Sequence, residues 1–226
     1  DYGVVPVENS TEGAVNNTQD CLIDTRLRIC GEEIVAIKQN LLVAPGASIN
    51  DIRTIMSHPQ SLAQCRHWLQ ENLPDIELQD CASNAEAARK VRHDSGIAAI
   101  AGDLASDTYG LEIAREAIQD QSHNRTRFLV LSTASTLPTG KDKTSILIYT
   151  ENKPGALFRI LEPFEQLQIS LTKLETRPAK KAAWEYVFFI DFEGHHDDTA
   201  VVELFRRLQQ CTAEIKILGS YPAGQW

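Results

Sequence analysis

Ser132-Thr133-Ala134-Ser135-Thr136-Leu137-Pro138-Thr139-Gly140-Lys141 is the stretch on which the fold turns. Hydroxyl-bearing residues broken by a proline and a glycine follow neither the strand nor the helix period, so the segment reads as a linker. Strands and helices alternate before it, and a different order begins after it. Immediately upstream runs Asn124-Arg125-Thr126-Arg127-Phe128-Leu129-Val130-Leu131, where two guanidiniums and a hydroxyl lead into an apolar strand. Such a strand mouth suits a carboxylated small molecule, and its hydroxyl can hydrogen-bond a departing oxygen. Pro6-Val7-Glu8-Asn9-Ser10-Thr11 and Ser57-His58-Pro59-Gln60 share that grammar. Mouths of this kind can line one cleft.

Upstream of the linker, residues 3–7 form a β-branched strand ending at polar residues, and 13–24 read as a weak helix. The Val/Ile/Leu content of 34–43 predicts a strand, and 54–56 predict a short one. Pro59 opens a helix through Leu69, and 76–78 return to strand. Ser83 and Glu86 make a capping box for an alanine-rich helix to Arg92. Residues 96–101 predict a small-residue buried strand, followed by a short helix near Leu104. This alternation implies an α/β layered sheet that binds ligands at strand carboxyl ends. Downstream, the expected order is a strand at 144–149, a helix from Pro154 to Leu167, and strands at 169–174 and 184–192. A helix at 197–209 and a strand at 215–218 complete it. That βαββαβ order is the split-βαβ, ferredoxin-like plan. The expected domains are therefore 1–134 and 142–222. A module as small as the second buries little and often pairs with a copy of itself.

The bulk numbers are those of an ordinary globular protein: 226 residues, 42% hydrophobic and 23% charged. No apolar run approaches the ~20 residues that span a bilayer, and no secretory signal is legible. A formal charge of -9 argues against nucleic-acid or anionic-membrane partners, yet local arginines still allow a small anion. Five scattered cysteines (Cys21, Cys30, Cys65, Cys81, Cys211) read as reduced thiols in a cytoplasmic protein, not a disulfide framework. His195-His196 sits in a polar turn and reads as a solvated loop, not a metal site. The N-x-[ST] matches at Asn9, Asn16 and Asn124 read as chance.

The motifs, taken together, resemble one family: prephenate dehydratase with a C-terminal ACT regulatory domain. The residues that carry the resemblance are Gly3-Val4-Val5-Pro6-Val7-Glu8-Asn9-Ser10 with Gly13, Ser57-His58-Pro59-Gln60 with Gln64-Cys65, and Thr126-Arg127-Phe128. In the last module they are Pro154-Gly155-Ala156-Leu157, Glu175-Thr176-Arg177-Pro178, Trp184-Glu185-Tyr186 and Leu218-Gly219-Ser220-Tyr221-Pro222. The resemblance implies decarboxylative dehydration of prephenate to phenylpyruvate in phenylalanine biosynthesis, with no cofactor. It also implies a two-lobed α/β catalytic region like type II periplasmic binding proteins. Thr126 matches the position whose hydroxyl contacts the leaving group. Asn9, Ser57 and Gln64 match cleft positions that fix the substrate. Arg127 is the expected carboxylate clamp, because a guanidinium grips a carboxylate through parallel hydrogen bonds; Glu8 is expected to support the mouth.

Each residue also has a bland reading. Asn9 and Ser57 could cap helices, Gln64 could be an ordinary exposed helical residue, Thr126 a plain strand residue and Arg127 a solvated edge charge. In the small domain the resemblance implies a phenylalanine sensor, with Gly155, Ala156 and Leu157 presenting backbone amides to a carboxylate. Glu175, Thr176, Arg177 and Pro178 are expected nearby, across a subunit interface of a homodimer or homotetramer. Thr176 stands where the family usually has serine, and Phe158 is bulkier than the common aliphatic residue. The family's Gly-rich front segment is missing from this chain, so one lobe is expected to be largely absent and the chain to be part of a longer polypeptide. An upstream chorismate mutase domain, as in bifunctional relatives, stays open. Two alternatives also stay open: arogenate dehydratase, and a non-catalytic two-lobed binding module joined to an amino-acid sensor.

Overall fold

In the computed structural model, which describes residues 1–151, 153–178 and 186–224, the β-branched run before Glu8 forms β1 (Gly3–Asn9). The chain folds back through β2 (Gly13–Ala14) and enters α1 (Asn16–Asp24), which buries Gln19, Leu22 and Ile23. β3 (Arg28–Ala36) and β4 (Asn40–Val43) follow. A single strand over 34–43 is thus corrected: these halves join different sheets. The cause is the polar pair Lys38-Gln39, where the Gln39 amide donates to the Gln119 side chain at 3.0 Å instead of to a ladder.

From β4 the alternation holds: β5 (Thr54–Ser57), α2 (Pro59–Gln64), α3 (Arg66–Asn72), β6 (Glu77–Asp80), α4 (Asn84–Val91), β7 (Ile97–Ala101), α5 (Asp103–Tyr109) and β8 (Glu112–Arg115). The helix expected over 59–69 breaks at Cys65, which leaves helical geometry at ψ 14°. The capping box forms, with the Glu86 amide donating to Ser83 Oγ at 3.1 Å. These strands make one sheet in the order β6-β5-β7-β4-β8, parallel from β6 to β7 and antiparallel around β4. Ala98 and Ala99 of β7 are fully buried. The small side chains of Ala99 and Ala101 let α4 pack closely through Ala87, Ala88 and Val91, while Ala98 faces the other layer with Leu62 and Leu69. Residues 36–125 form one compact unit.

The second unit comprises residues 1–35 and 126–226. β9 (Arg125–Ser132) begins it again, followed by β10 (Asp142–Thr150), α6 (Ala156–Gln166), β11 (Leu171–Pro178), β12 (Tyr186–Glu193), α7 (Thr199–Leu208) and β13 (Glu214–Pro222). The βαββαβ order stands as read, though Trp184 lies outside the described residues. β10 to β13 make an antiparallel sheet in the order β11-β12-β10-β13, and β9 joins β1, β2 and β3 in another. Strand alternation gives the first sheet two apolar faces. Ile146, Ile148, Phe188 and Ile190 pack on α6 and α7. Leu147, Val187 and Phe189 pack on Val7, Leu22, Ile29 and Leu129. The closest approach is at Gly219, where a β-carbon would lie 2.1 Å from the Ile29 carbonyl oxygen. The polar stretch read as a linker therefore runs inside a compact unit. Thr136 Oγ1 donates to the Ser220 carbonyl, and the Asp142 carboxylate accepts from Thr139 and Gly140. Among the described residues no helix is long and apolar enough to cross a membrane.

Candidate active site

Antiparallel pairing of β1 and β9 sets Asn9 opposite Thr126. Asn9 Nδ2 donates to Thr126 Oγ1 at 2.9 Å. The same side chain accepts from the amides of Thr11 at 2.9 Å and Glu12 at 3.1 Å through its Oδ1. Asn9 thus braces the turn between β1 and β2, not a helix start, since α1 begins only at Asn16 after Val15. Because Thr126 accepts that bond, its own proton is not used on Asn9. A bulge between Pro6 and Glu8 separates the last pairs, Glu8↔Arg127 and Asn9↔Thr126, from the ladder above. Glu8 reaches Lys173 at 3.1 Å.

Arg127 is one residue on and points to the opposite face, with Leu129 and Leu131. Its side chain is buried. Nε donates to Glu32 at 2.6 Å, Nη1 to Asp191 at 2.6 Å and Nη2 to the Tyr221 hydroxyl at 2.9 Å. The expectation of a carboxylate clamp is corrected: the guanidinium grips carboxylates of this chain. Burial pushes the Glu32 carboxyl up, but Arg127, Lys143 and the Gly224 amide outweigh it and hold the group below the ordinary carboxylate range. Burial also depresses Arg127, and Asp191 with Glu32 raises it further than burial lowers it.

Ser57 and Gln64 belong to a polar cluster at the carboxyl end of β5 in the unit of residues 36–125. Ser57 is fully buried. Its Oγ lies 2.6 Å from the Ile100 carbonyl oxygen and 2.8 Å from Asn84 Oδ1, holding β5 to β7 and to the start of α4. Gln39 Nε2 bridges Ser61 Oγ at 3.3 Å and Gln64 Oε1 at 3.1 Å. Asn84 Nδ2 donates to Ser61 Oγ at 2.9 Å. Sequence reasoning missed Gln39, Ser61 and Asn84, because isolated amides and hydroxyls leave no periodic trace. Their one signal is position: each sits within a residue or a few of a strand end.

In the small sheet, Gly155 adopts φ 77°, a left-handed conformation that favours glycine, and ends the turn that opens α6. A pocket of about 210 Å³ lies there, lined by Thr150, Lys153, Gly155, Ala156, Leu157 and Phe188 among others. β11 divides the second effector motif between its faces. Thr176 pairs with Phe188 and Pro178 with Tyr186. Glu175 and Arg177 point the other way: Gln19 Nε2 donates to Glu175 at 2.5 Å, and Arg177 donates to Asn16 at 2.8 Å and Asp20 at 2.9 Å.

His195, His196 and Asp197 could bring metal-ligating atoms together. Their ring nitrogens are already engaged, however. His195 Nδ1 accepts from the Asp197 amide at 3.2 Å, its Nε2 lies 3.2 Å from the Thr136 carbonyl, and His196 Nδ1 lies 2.8 Å from Ser220 Oγ. The turn is built by these bonds.

Comparison with known proteins places the chain. A family model described as prephenate dehydratase matches residues 1–136, and one described as ACT domain matches residues 144–210. A bifunctional chorismate mutase/prephenate dehydratase of Pseudomonas aeruginosa is 47% identical over 221 residues, covering 98% of this chain and 60% of that protein. The chain thus spans about three fifths of the length of that relative. A prephenate dehydratase of Mycobacterium bovis is 38% identical, covering 99% of this chain and 71% of that protein. The crystal structure of an Arthrobacter aurescens prephenate dehydratase in complex with L-Phe superposes with a TM-score of 0.88 at 35% identity, covering 99% of this chain and 75% of that one.

Proposed function

Because the chain belongs to the prephenate dehydratase family, we propose that the full polypeptide converts prephenate to phenylpyruvate. The observation that carries this reading is the Asn9–Thr126 bond, in which Thr126 is the acceptor. Its hydroxyl proton is then available to the ring hydroxyl of prephenate as that group leaves. The step balances without a cofactor. The carbon–carboxylate bond breaks, its electron pair enters the ring, carbon dioxide departs, and the carbon–oxygen bond breaks to release hydroxide, which takes a proton from solvent to become water. Aromatisation drives the reaction, so the protein's work is to orient the substrate and to stabilise charge on the departing oxygen. A threonine hydroxyl is too weak an acid to hand over its proton outright, so Thr126 donates a hydrogen bond.

The catalytic region is read as residues 1–134, one part of a two-lobed α/β domain of the type II periplasmic-binding kind. Residues 142–222 are read as a ferredoxin-like ACT domain that pairs with a second copy in a homodimer or homotetramer. The effector is phenylalanine, its carboxylate on the amides of Gly155, Ala156 and Leu157, with Thr176 and Pro178 supplied alongside from the partner and Glu175 and Arg177 holding that strand to α1. The L-Phe complex of the Arthrobacter relative and the pocket at the start of α6 support this. The cytoplasm is the proposed location. The test is ultraviolet detection of phenylpyruvate when the full-length polypeptide meets prephenate, with Thr126→Ala lowering kcat by about a hundredfold or more and KM little. Faster turnover of arogenate than of prephenate would reassign the substrate. Turnover of neither would leave a binding module.

A further inference from the structure

Glu32, Arg127, Lys143 and Asp191 are all more than nine-tenths buried, and Tyr221 is completely so. They form one set of two cations and two anions around a phenol, with Glu8 also 3.9 Å from Arg127 Nη1. Besides the three bonds of Arg127, Lys143 Nζ donates to Glu32 Oε1 at 2.7 Å, Gly224 N donates to the same oxygen at 2.7 Å, and Ser145 Oγ lies 2.6 Å from the Tyr221 hydroxyl. Lys143 and Ser145 come from β10, Asp191 from β12 and Tyr221 from β13, so adjacent strands of the regulatory sheet converge on one guanidinium. Ions are costly to bury, and an apolar patch would join these surfaces at least as firmly. What a fork of directed hydrogen bonds adds is position. It fixes how far β9 sits along the sheet, where an apolar contact would tolerate sliding.

We propose that Arg127 is a positioning residue for the reaction, holding Thr126 in register from the regulatory sheet. This rests on the dehydratase reading above. Peptide geometry makes the coupling direct: Arg127 and Thr126 are neighbours on one strand and face opposite sides. The bulge after Pro6 sets the Glu8↔Arg127 and Asn9↔Thr126 pairs apart from the ladder above as a short terminal ladder. The Arg127 fork anchors that ladder from the face opposite Thr126. Loosening it lets Thr126 drift relative to Asn9 and to the leaving group, without removing any group that touches substrate.

Tyr221→Phe is the test, since the ring stays in place and only the hydroxyl shared by Arg127 and Ser145 is lost; Asp191→Asn is the second variant. Both are made in the full-length polypeptide, alone and combined with Thr126→Ala, with circular dichroism confirming the fold. Each alone should lower kcat for prephenate between about tenfold and a hundredfold, with KM within about twofold. In the Thr126→Ala background the same substitutions should change kcat by less than about twofold, because the group they position is gone. Parental kcat in both single variants, or the same loss in both backgrounds, overturns the proposal and leaves the dehydratase reading intact. Parental kcat in Thr126→Ala alone overturns that reading, and this inference with it.

Discussion

Replacing Gly219 by alanine tests the tightest backbone approach at any described glycine. The added β-carbon would stand 2.1 Å from the Ile29 carbonyl oxygen and 2.9 Å from both Ile29 N and C. Those atoms are backbone of β3, so no side chain can swing away. Ordinary contact requires roughly a further ångström of separation, and the clash must be relieved by moving β13 from β3. Arg127–Glu32 at 2.6 Å and Lys143–Glu32 at 2.7 Å link Glu32 of β3 to its neighbours and would lengthen with such a shift. Overpacking a core costs about 1–3 kcal/mol, and the upper end applies where only backbone can yield. For a chain of this size ~3 kcal/mol corresponds to a fall of about 6–12 °C in Tm. Thermal unfolding followed by circular dichroism reads it directly. A Tm within about 2 °C of the parent would show that β13 and β3 do not meet this closely.

Acid should act through Glu32. Its folded pKa lies below the ordinary value of 4.5, so its contribution is complete above that value and is lost as pH falls through the folded one. Denaturant midpoints should hold steady down to about pH 5 and then drop, and Glu32→Gln should flatten that acid limb; an unchanged limb would refute the assignment. Lys216 Nζ donates to the carbonyls of Leu22, Ile23 and Thr25 at the end of α1. Lys216→Met should therefore cost about 1–3 kcal/mol in urea unfolding, against near zero if the lysine is merely solvated. Ser57→Ala should lower stability by about 1–2 kcal/mol and leave KM for prephenate within about twofold, whereas a substrate contact would raise KM strongly.

Much of this was legible in the residues. The βαββαβ order after Ser132 appears as read, because its strands carry long apolar runs, and the alternation before it appears in part, with the Ser83–Glu86 cap in place but β2 and β8 unread. Thr126 and Asn9 meet as the matching strand mouths suggest. The split between β3 and β4 was hidden because Ile34, Val35, Ala36 and Ile37 continue an apolar pattern, and only the side-chain bond to Gln119 shows where the ladder stops. Arg127 was misassigned for a different reason. Its strand phase matches Leu129 and Leu131, which marks a buried face, but a charge at a strand mouth looks solvent-facing until its partners appear from residues far along the chain. Of those partners, Asp191 has no local signature, and the motif that holds Tyr221 does not show that its hydroxyl meets Arg127.

The discontinuous unit has a consequence for biosynthesis. Residues 36–125 are contiguous and hold their own sheet, so they can mature as soon as they clear the ribosome. Residues 1–35, made earlier, must wait for β13, because Ile29 and Glu32 find their partners at Gly219 and Gly224 near the chain's far end. Until β9 emerges β1 and β3 are unpaired edges that nascent neighbours can capture, and until β13 does their apolar face with Val7 and Ile29 stays uncovered. Ribosome pausing or truncation ahead of residue 214 should therefore leave a species that is folded in the middle and sticky at its beginning.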